Sequence, residues 1–301
     1  MRLTELDEED GEPIWDRPSG TELVTGYLAW ERLSVGTRCE TWLVWSTRLW
    51  YPAVLKLARP HQVTHPRAVR SLGREIEALE GNQHPCLPRL FTDGTSDPLP
   101  HIAVEYIDGP TLDEELDTNG PVGAEEAASL GAQLLAGVVA LHDRDLVHVD
   151  LKPENVILRD GRPILIDFGS VRRIGAPQPL GRPVGTAGYA PPEMEACKPI
   201  AVGMDLYGLG AILFEALTGR PAFDPAVPAC SRPAAEAMPC SVTAPLRALV
   251  ASLLEPRPED RPSAAEAMRV LGAVAVEPEA RPWPEWADGW LPGRFTERRY
   301  G

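Results

Sequence analysis

The chain has 301 residues, 44% hydrophobic and 24% charged, a composition that excludes global disorder and allows one large core or two coupled lobes. Its net charge of −15 weighs against non-specific nucleic-acid binding and against docking on anionic lipid, both of which need a basic surface. Five cysteines without a CxxC pair suggest neither a zinc site nor a disulfide framework, and Cys230 and Cys240 read as reduced thiols.

Residues 1–24 read as an acidic leader carrying Pro13 and Pro18, without the basic start and apolar run of a signal peptide. No stretch of 18 or more apolar residues occurs, so no membrane span is expected and a cytoplasmic location is. From Gly26 to about Ile107 the chain is strand-rich, with strands at 41–45 and 53–57 around a turn-like Trp50-Tyr51-Pro52. Trp42, Trp45 and Trp50 are expected to pack in the core or to cover the sheet. A helix starts near Pro66, and Val69, Leu72, Ile76 and Leu79 follow at helical spacing. Glu75 falls on that apolar stripe. A carboxylate there is costly unless paired, which predicts a cationic partner. His101 to Tyr106 reads as another strand, ending in Asp108-Gly109-Pro110.

The pattern then turns helical. Leu130, Leu134, Val138 and Leu141 mark a long amphipathic helix. Val156–Leu158 and Ile164–Ile166 flank Asp160-Gly161 and predict a hairpin. Leu206, Leu209, Leu213 and Leu217 predict an apolar helix over 203–218, and a last helix is expected near 263–272. Strands first and helices second, joined by a short hinge, give a two-lobed α+β protein.

The densest chemistry lies around the hairpin. His148-Val149-Asp150-Leu151-Lys152-Pro153-Glu154-Asn155 leads into its first strand, and Ile166-Asp167-Phe168-Gly169 leaves its second. A hairpin brings its ends together, so Asp150, Lys152, Asn155 and Asp167 should meet near one point. Phosphoryl transfer from ATP needs such a set: a carboxylate to orient the attacking hydroxyl and take its proton, a lysine to offset phosphate charge, and an Asn and an Asp to hold Mg²⁺.

These motifs resemble the catalytic loop and metal-binding motif of protein kinases, in the bacterial eukaryotic-like serine/threonine branch, and the composition is similar to actinobacterial members. The resemblance implies a bilobal kinase domain over 25–272, with a small lobe at about 25–106, a hinge at about 105–110 and a large lobe at about 111–272. Residues 273–301 then form a Pro- and Trp-rich tail. It implies that Lys56 contacts the α and β phosphates of ATP and pairs with Glu75. It further implies that Gly36 lies in the phosphate-covering loop, that the backbone of Glu105 and Ile107 meets adenine, and that Val104 lines the back of that pocket. Asp150 and Lys152 are then catalytic, and Asn155 and Asp167 are the Mg²⁺ ligands. Gly185-Thr186-Ala187-Gly188-Tyr189-Ala190-Pro191-Pro192-Glu193 is similar to the end of an activation segment, with Arg261 the expected partner of Glu193. Asp205 and Gly210 match the helix that anchors the catalytic loop. Protein substrates are implied.

Three departures stand out. Ser34 and Cys39 occupy places where the family usually has glycine, and only Gly36 remains. Val149 replaces the arginine that usually precedes the catalytic aspartate and receives activation-loop phosphate. Only Ser170, Thr186 and Tyr189 carry hydroxyls between Asp167 and Glu193, so activity without activation-loop phosphorylation is expected. Two other readings use the same residues. One is a kinase fold without catalysis, acting as a nucleotide-binding or scaffolding module; the other is a small-molecule phosphotransferase. The tail tryptophans Trp283, Trp286 and Trp290 are expected to dock on the large lobe.

Overall fold

The computed structural model describes residues 4–6, 11–181, 184–229 and 238–275. The expectations for Cys230 and for Trp283, Trp286 and Trp290 fall outside the described residues.

Strands β1 (Thr4–Leu6) and β2 (Pro13–Trp15) pair antiparallel with each other. The main sheet is antiparallel and six-stranded. It is built from β3 (Glu22–Val24), β4 (Tyr27–Val35), β5 (Cys39–Ser46) and β6 (Tyr51–Ala58), then, after helix α1 (Pro66–Leu79), β7 (Leu90–Gly94) and β8 (His101–Glu105). Its order is β3-β4-β5-β6-β8-β7.

Alternation along β5 and β6 divides this sheet into two faces. Trp42, Val44, Leu55, Leu57 and Ala103 turn to one side, where Leu23, Tyr27 and Ala29 complete a buried cluster and Trp15 packs against it. Val54, Ile102 and Val104 turn to the other side and join Leu72 and Leu79 of α1 in the main core. The register Thr41↔Lys56 and Lys56↔Ile102 puts Lys56 on this second face, toward the large lobe. Pro66 opens α1 as expected, and the His65 ring accepts a hydrogen bond from the Arg67 N–H at 3.1 Å. Trp42 is buried. Trp50 is 73% exposed, and its ring meets Trp45 edge-on at 5.6 Å, so it covers the sheet rather than filling it.

The large lobe follows. It contains α2 (Leu112–Asn119), α3 (Ala124–His142), β9 (Leu146–Val147), β10 (Val156–Arg159), β11 (Arg162–Leu165), β12 (Arg172–Arg173), α4 (Pro192–Glu195), α5 (Gly203–Thr218), α6 (Ala244–Leu253) and α7 (Ala264–Ala275). Thr111 and Glu114 form a reciprocal capping box that starts α2. Every residue of α5 from Met204 to Leu217 is buried, as expected of a helix apolar on all sides. It packs between α3 and α6, and α3 also packs on α7. Helix α3 is long and apolar enough to cross a membrane, and half of it is buried inside the lobe, as in the core helix of a globular domain.

Candidate active site

The hairpin β10–β11 pairs in the register Val156↔Leu165, which brings the loop before it and the loop after it side by side. The Ile166 N–H donates to the Asn155 carbonyl at 2.9 Å, placing Asp167 next to Asn155 along the chain path. The Asn155 amide Nδ2 donates to the Asp150 carbonyl at 2.9 Å and lies 3.5 Å from Asp150 Oδ2. Asp150 Oδ1 accepts a hydrogen bond from the Thr186 hydroxyl at 2.7 Å. Lys152 is half-buried on the same loop, and its carbonyl accepts from the Asn155 N–H at 3.0 Å.

From the sheet side, Lys56 Nζ reaches Glu75 Oε2 at 2.8 Å and Asp167 Oδ1 at 3.1 Å. The cationic partner predicted for Glu75 is therefore Lys56. Burial opposes the Lys56 charge, but the Glu75 and Asp167 carboxylates outweigh it and raise its pKa above the ordinary lysine value. Lys56 in turn holds the Asp167 carboxyl down to about 2, against the opposing effect of burial. Asp167 thus stays anionic across the neutral range. An anionic carboxylate and an amide oxygen are hard donors that fit Mg²⁺, which keeps water and phosphate oxygens as its remaining ligands. No group of three or more His, Cys, Asp or Glu side chains that could hold a metal occurs among the described residues.

The loop 148–155 is held from below. Asp205 of α5 is buried, and its carboxylate accepts from the His148 N–H at 2.9 Å and the Val149 N–H at 2.8 Å. His142 Nε2 lies 2.9 Å from the same carboxylate. The His148 ring packs edge-on against Phe168 at 5.2 Å, with Nε2 3.3 Å from the Ile166 carbonyl. Gly208 of α5 faces Leu151 so closely that a β-carbon there would lie 2.8 Å from the Leu151 β-carbon. Glu193 and Arg261 form a two-pronged ion pair at 2.6 and 2.9 Å.

Among the described residues, no hydrogen bond or ion pair joins the remaining predicted residues to Lys56, Asp150 or Asp167. Glu105 turns its carboxylate to Arg89 (3.1 Å) and Arg159 (2.7 Å). Burial works against that charge, yet hydrogen bonds from Arg89 and Arg159 keep the carboxyl below its usual range. With its N–H given to the Arg89 carbonyl at 2.8 Å, Glu105 offers a nucleotide only its own carbonyl. Ile107 is buried two residues on. Gly36 lies in the turn between β4 and β5, its N–H bound to the Cys39 carbonyl at 2.9 Å. Burial, reinforced by Glu75, pushes the Cys39 thiol up to about 12, so it is no nucleophile.

Sequence reasoning missed the Thr186–Asp150 bond and a buried pair of charges, Glu40 and Arg59, on the outer face of the sheet. A signal for Glu40 was present: it alternates in step with Trp42 and Val44, both buried.

Val149 carries an unusual local structure. It has φ 64° and is buried in a cluster with Val147, Ala190, Met194, Ile200 and Met204. Gly185, at φ +91°, passes so close that a β-carbon would lie 2.8 Å from the Val149 carbonyl. Apolar packing therefore joins segment 185–204 to the loop that carries Asp150.

Comparison with known proteins agrees with this architecture. The protein kinase domain family model matches residues 51–270. The serine/threonine-protein kinase PkaA of Streptomyces coelicolor is 36% identical over 213 residues, covering 67% of this chain and 39% of that protein. PknB of Mycolicibacterium smegmatis, also named a serine/threonine-protein kinase, is 28% identical over 260 residues, covering 81% of this chain and 42% of that protein. The probable serine/threonine-protein kinase PkwA of Thermomonospora curvata is 31% identical over 242 residues, covering 77% and 32%. The chain thus spans less than half the length of these curated relatives. With a family match running from β6 through most of α7, this chain belongs to the protein kinase domain family.

Proposed function

We propose that this protein transfers the γ-phosphoryl group of ATP to serine and threonine hydroxyls of protein substrates. The observation that carries the reading is the Lys56 ammonium, bound at once to Glu75 (2.8 Å) and Asp167 (3.1 Å) beside the Asp150–Asn155 loop. A kinase fold that had given up catalysis would have no need to keep such a set assembled.

In this reading Lys56, fixed by Glu75, grips the α and β phosphates, and the Gly36 turn covers them. Adenine meets the backbone of Glu105 and Ile107. Asn155 and Asp167 hold Mg²⁺, which when bound offsets charge across the phosphates. Asp150 orients the substrate hydroxyl and takes its proton, while Lys152 stabilises charge on the moving phosphoryl group. The Thr186 hydroxyl, 2.7 Å from Asp150, keeps that carboxylate aimed into the cleft.

Protein substrates are favoured by the activation-segment end, which the Glu193–Arg261 pair fixes to the large lobe. The buried Val149 cluster supports a segment held without phosphate. One experiment tests both points: phosphatase-treated enzyme is incubated with γ-labelled ATP and casein, then with small alcohols and sugars. Label is expected on casein serine and threonine. Label only on the small molecules would overturn the substrate class, and an enzyme inert until Ser170 or Thr186 is phosphorylated would overturn the phosphate-free segment.

A further inference from the structure

The turn between β4 and β5, which the nucleotide reading places over the phosphates, carries side chains at two places where the kinase resemblance expects glycine, Ser34 and Cys39. Arg59, directly after β6, is 1% exposed. A guanidinium so buried is retained only where its donors are satisfied. Nη1 donates to the Gly36 carbonyl at 3.2 Å, Nη2 to the Glu12 carbonyl at 3.0 Å and Nε to the Pro13 carbonyl at 3.3 Å. The Arg59 backbone N–H donates to the Arg38 carbonyl at 2.9 Å. One residue therefore staples both ends of the turn 36–38, through its side chain at Gly36 and its backbone at Arg38.

The far end of the tether is also anchored. Buried Glu40 accepts from the Trp15 N–H at 2.9 Å and from the Trp42 indole N–H at 3.1 Å. The Trp15 indole N–H donates to the Ala58 carbonyl at 2.9 Å. Segment 12–15 is thus fixed to β5 and β6, and Arg59 spans from it to the turn.

We propose that Arg59 is a positioning residue for the phosphate-covering turn, bridging it to the N-terminal segment at Glu12 and Pro13. The inference rests on the nucleotide-binding reading above. The planar, multiply donating guanidinium suits three carbonyls at once; a lysine ammonium, a single point charge, does not replace it.

The test separates phosphate contacts from the rest of the nucleotide. Wild type, Arg59→Lys, Arg59→Met and Trp15→Phe, each as the full chain, are titrated calorimetrically with Mg-ATP and with adenosine. Loss of charge-assisted hydrogen bonds to the turn is expected to weaken Mg-ATP about tenfold in the Arg59 variants and about threefold in Trp15→Phe. Adenosine, which has no phosphates, should stay within about twofold. Trp15→Phe keeps the ring bulk and carries the comparison if Arg59→Met fails to fold. Equal weakening of both ligands, or unchanged Mg-ATP affinity in folded variants, overturns the proposal. Wild type that binds neither ligand would defeat the nucleotide reading itself, and the proposal with it.

Discussion

Asp150→Asn is expected to lower the rate of phosphate transfer about 10³-fold while leaving the fold intact. The substitution keeps the shape of the side chain and an oxygen for the Thr186 hydroxyl, now at 2.7 Å, so the activation segment stays in place. It removes the charge that would take the proton of the attacking hydroxyl. Lys56, Glu75 and Asp167 form a separate ion-pair set on the sheet side and are unaffected. Mg-ATP affinity and the thermal midpoint should therefore match wild type. Steady-state transfer assays with calorimetric titration check this, and a rate within tenfold of wild type would remove Asp150 from its role.

The largest effect on stability is expected at Arg261. Its side chain is 1% exposed and pairs with Glu193 through both terminal nitrogens. It also donates to the carbonyls of Gly203 and Glu255, each at 2.8 Å, and stacks over the Tyr207 ring at 4.9 Å. Arg261→Met leaves the Glu193 carboxylate largely buried without its cation. Breaking such a pair costs roughly 3–5 kcal/mol. For a domain of this size that lowers Tm by roughly 10 °C, measurable by calorimetry. Removing both charges in Arg261→Met with Glu193→Leu should recover part of the loss, because the orphaned carboxylate is gone. A single variant that melts with wild type would show that the pair contributes little.

Much of this arrangement was legible because local pattern and global fold agree. The hairpin was readable from two short apolar runs around Asp160-Gly161, and β10 and β11 pair across that turn. That Glu75 needs a cation followed from placing a carboxylate on the apolar stripe of α1, and the kinase resemblance named Lys56 as that cation. Other features leave no such trace. Strands β9 and β12 are two residues each, too short for periodicity to register. The positive φ of Val149 (64°) is imposed by tertiary contacts, since a β-branched residue strongly disfavours that backbone region. Residues 11–24 belong to the stretch 1–24 that read as an acidic leader because its composition is polar. Their docking depends on Trp15 and on backbone carbonyls, and carbonyls are invisible to any residue pattern.

Contacts to the outer face of the sheet and to the cleft therefore start from neighbouring residues. Arg59, just after β6, ties the N-terminal segment to the turn between β4 and β5, and Lys56, three residues earlier, ties β6 to α1 and Asp167. Alternation along that strand sends Lys56 and Leu57 to opposite faces, so one short stretch serves both sides.

The central claim is that Lys56, Asp150, Asn155 and Asp167 form one centre for phosphate transfer. The most direct measurement is label transfer from γ-labelled ATP to a protein acceptor by purified wild type and by Lys56→Met, prepared identically. Removing the ammonium takes away charge stabilisation that no neighbour replaces, so the variant should retain about one hundredth of the wild-type rate or less. Equal incorporation by the two preparations would contradict the account.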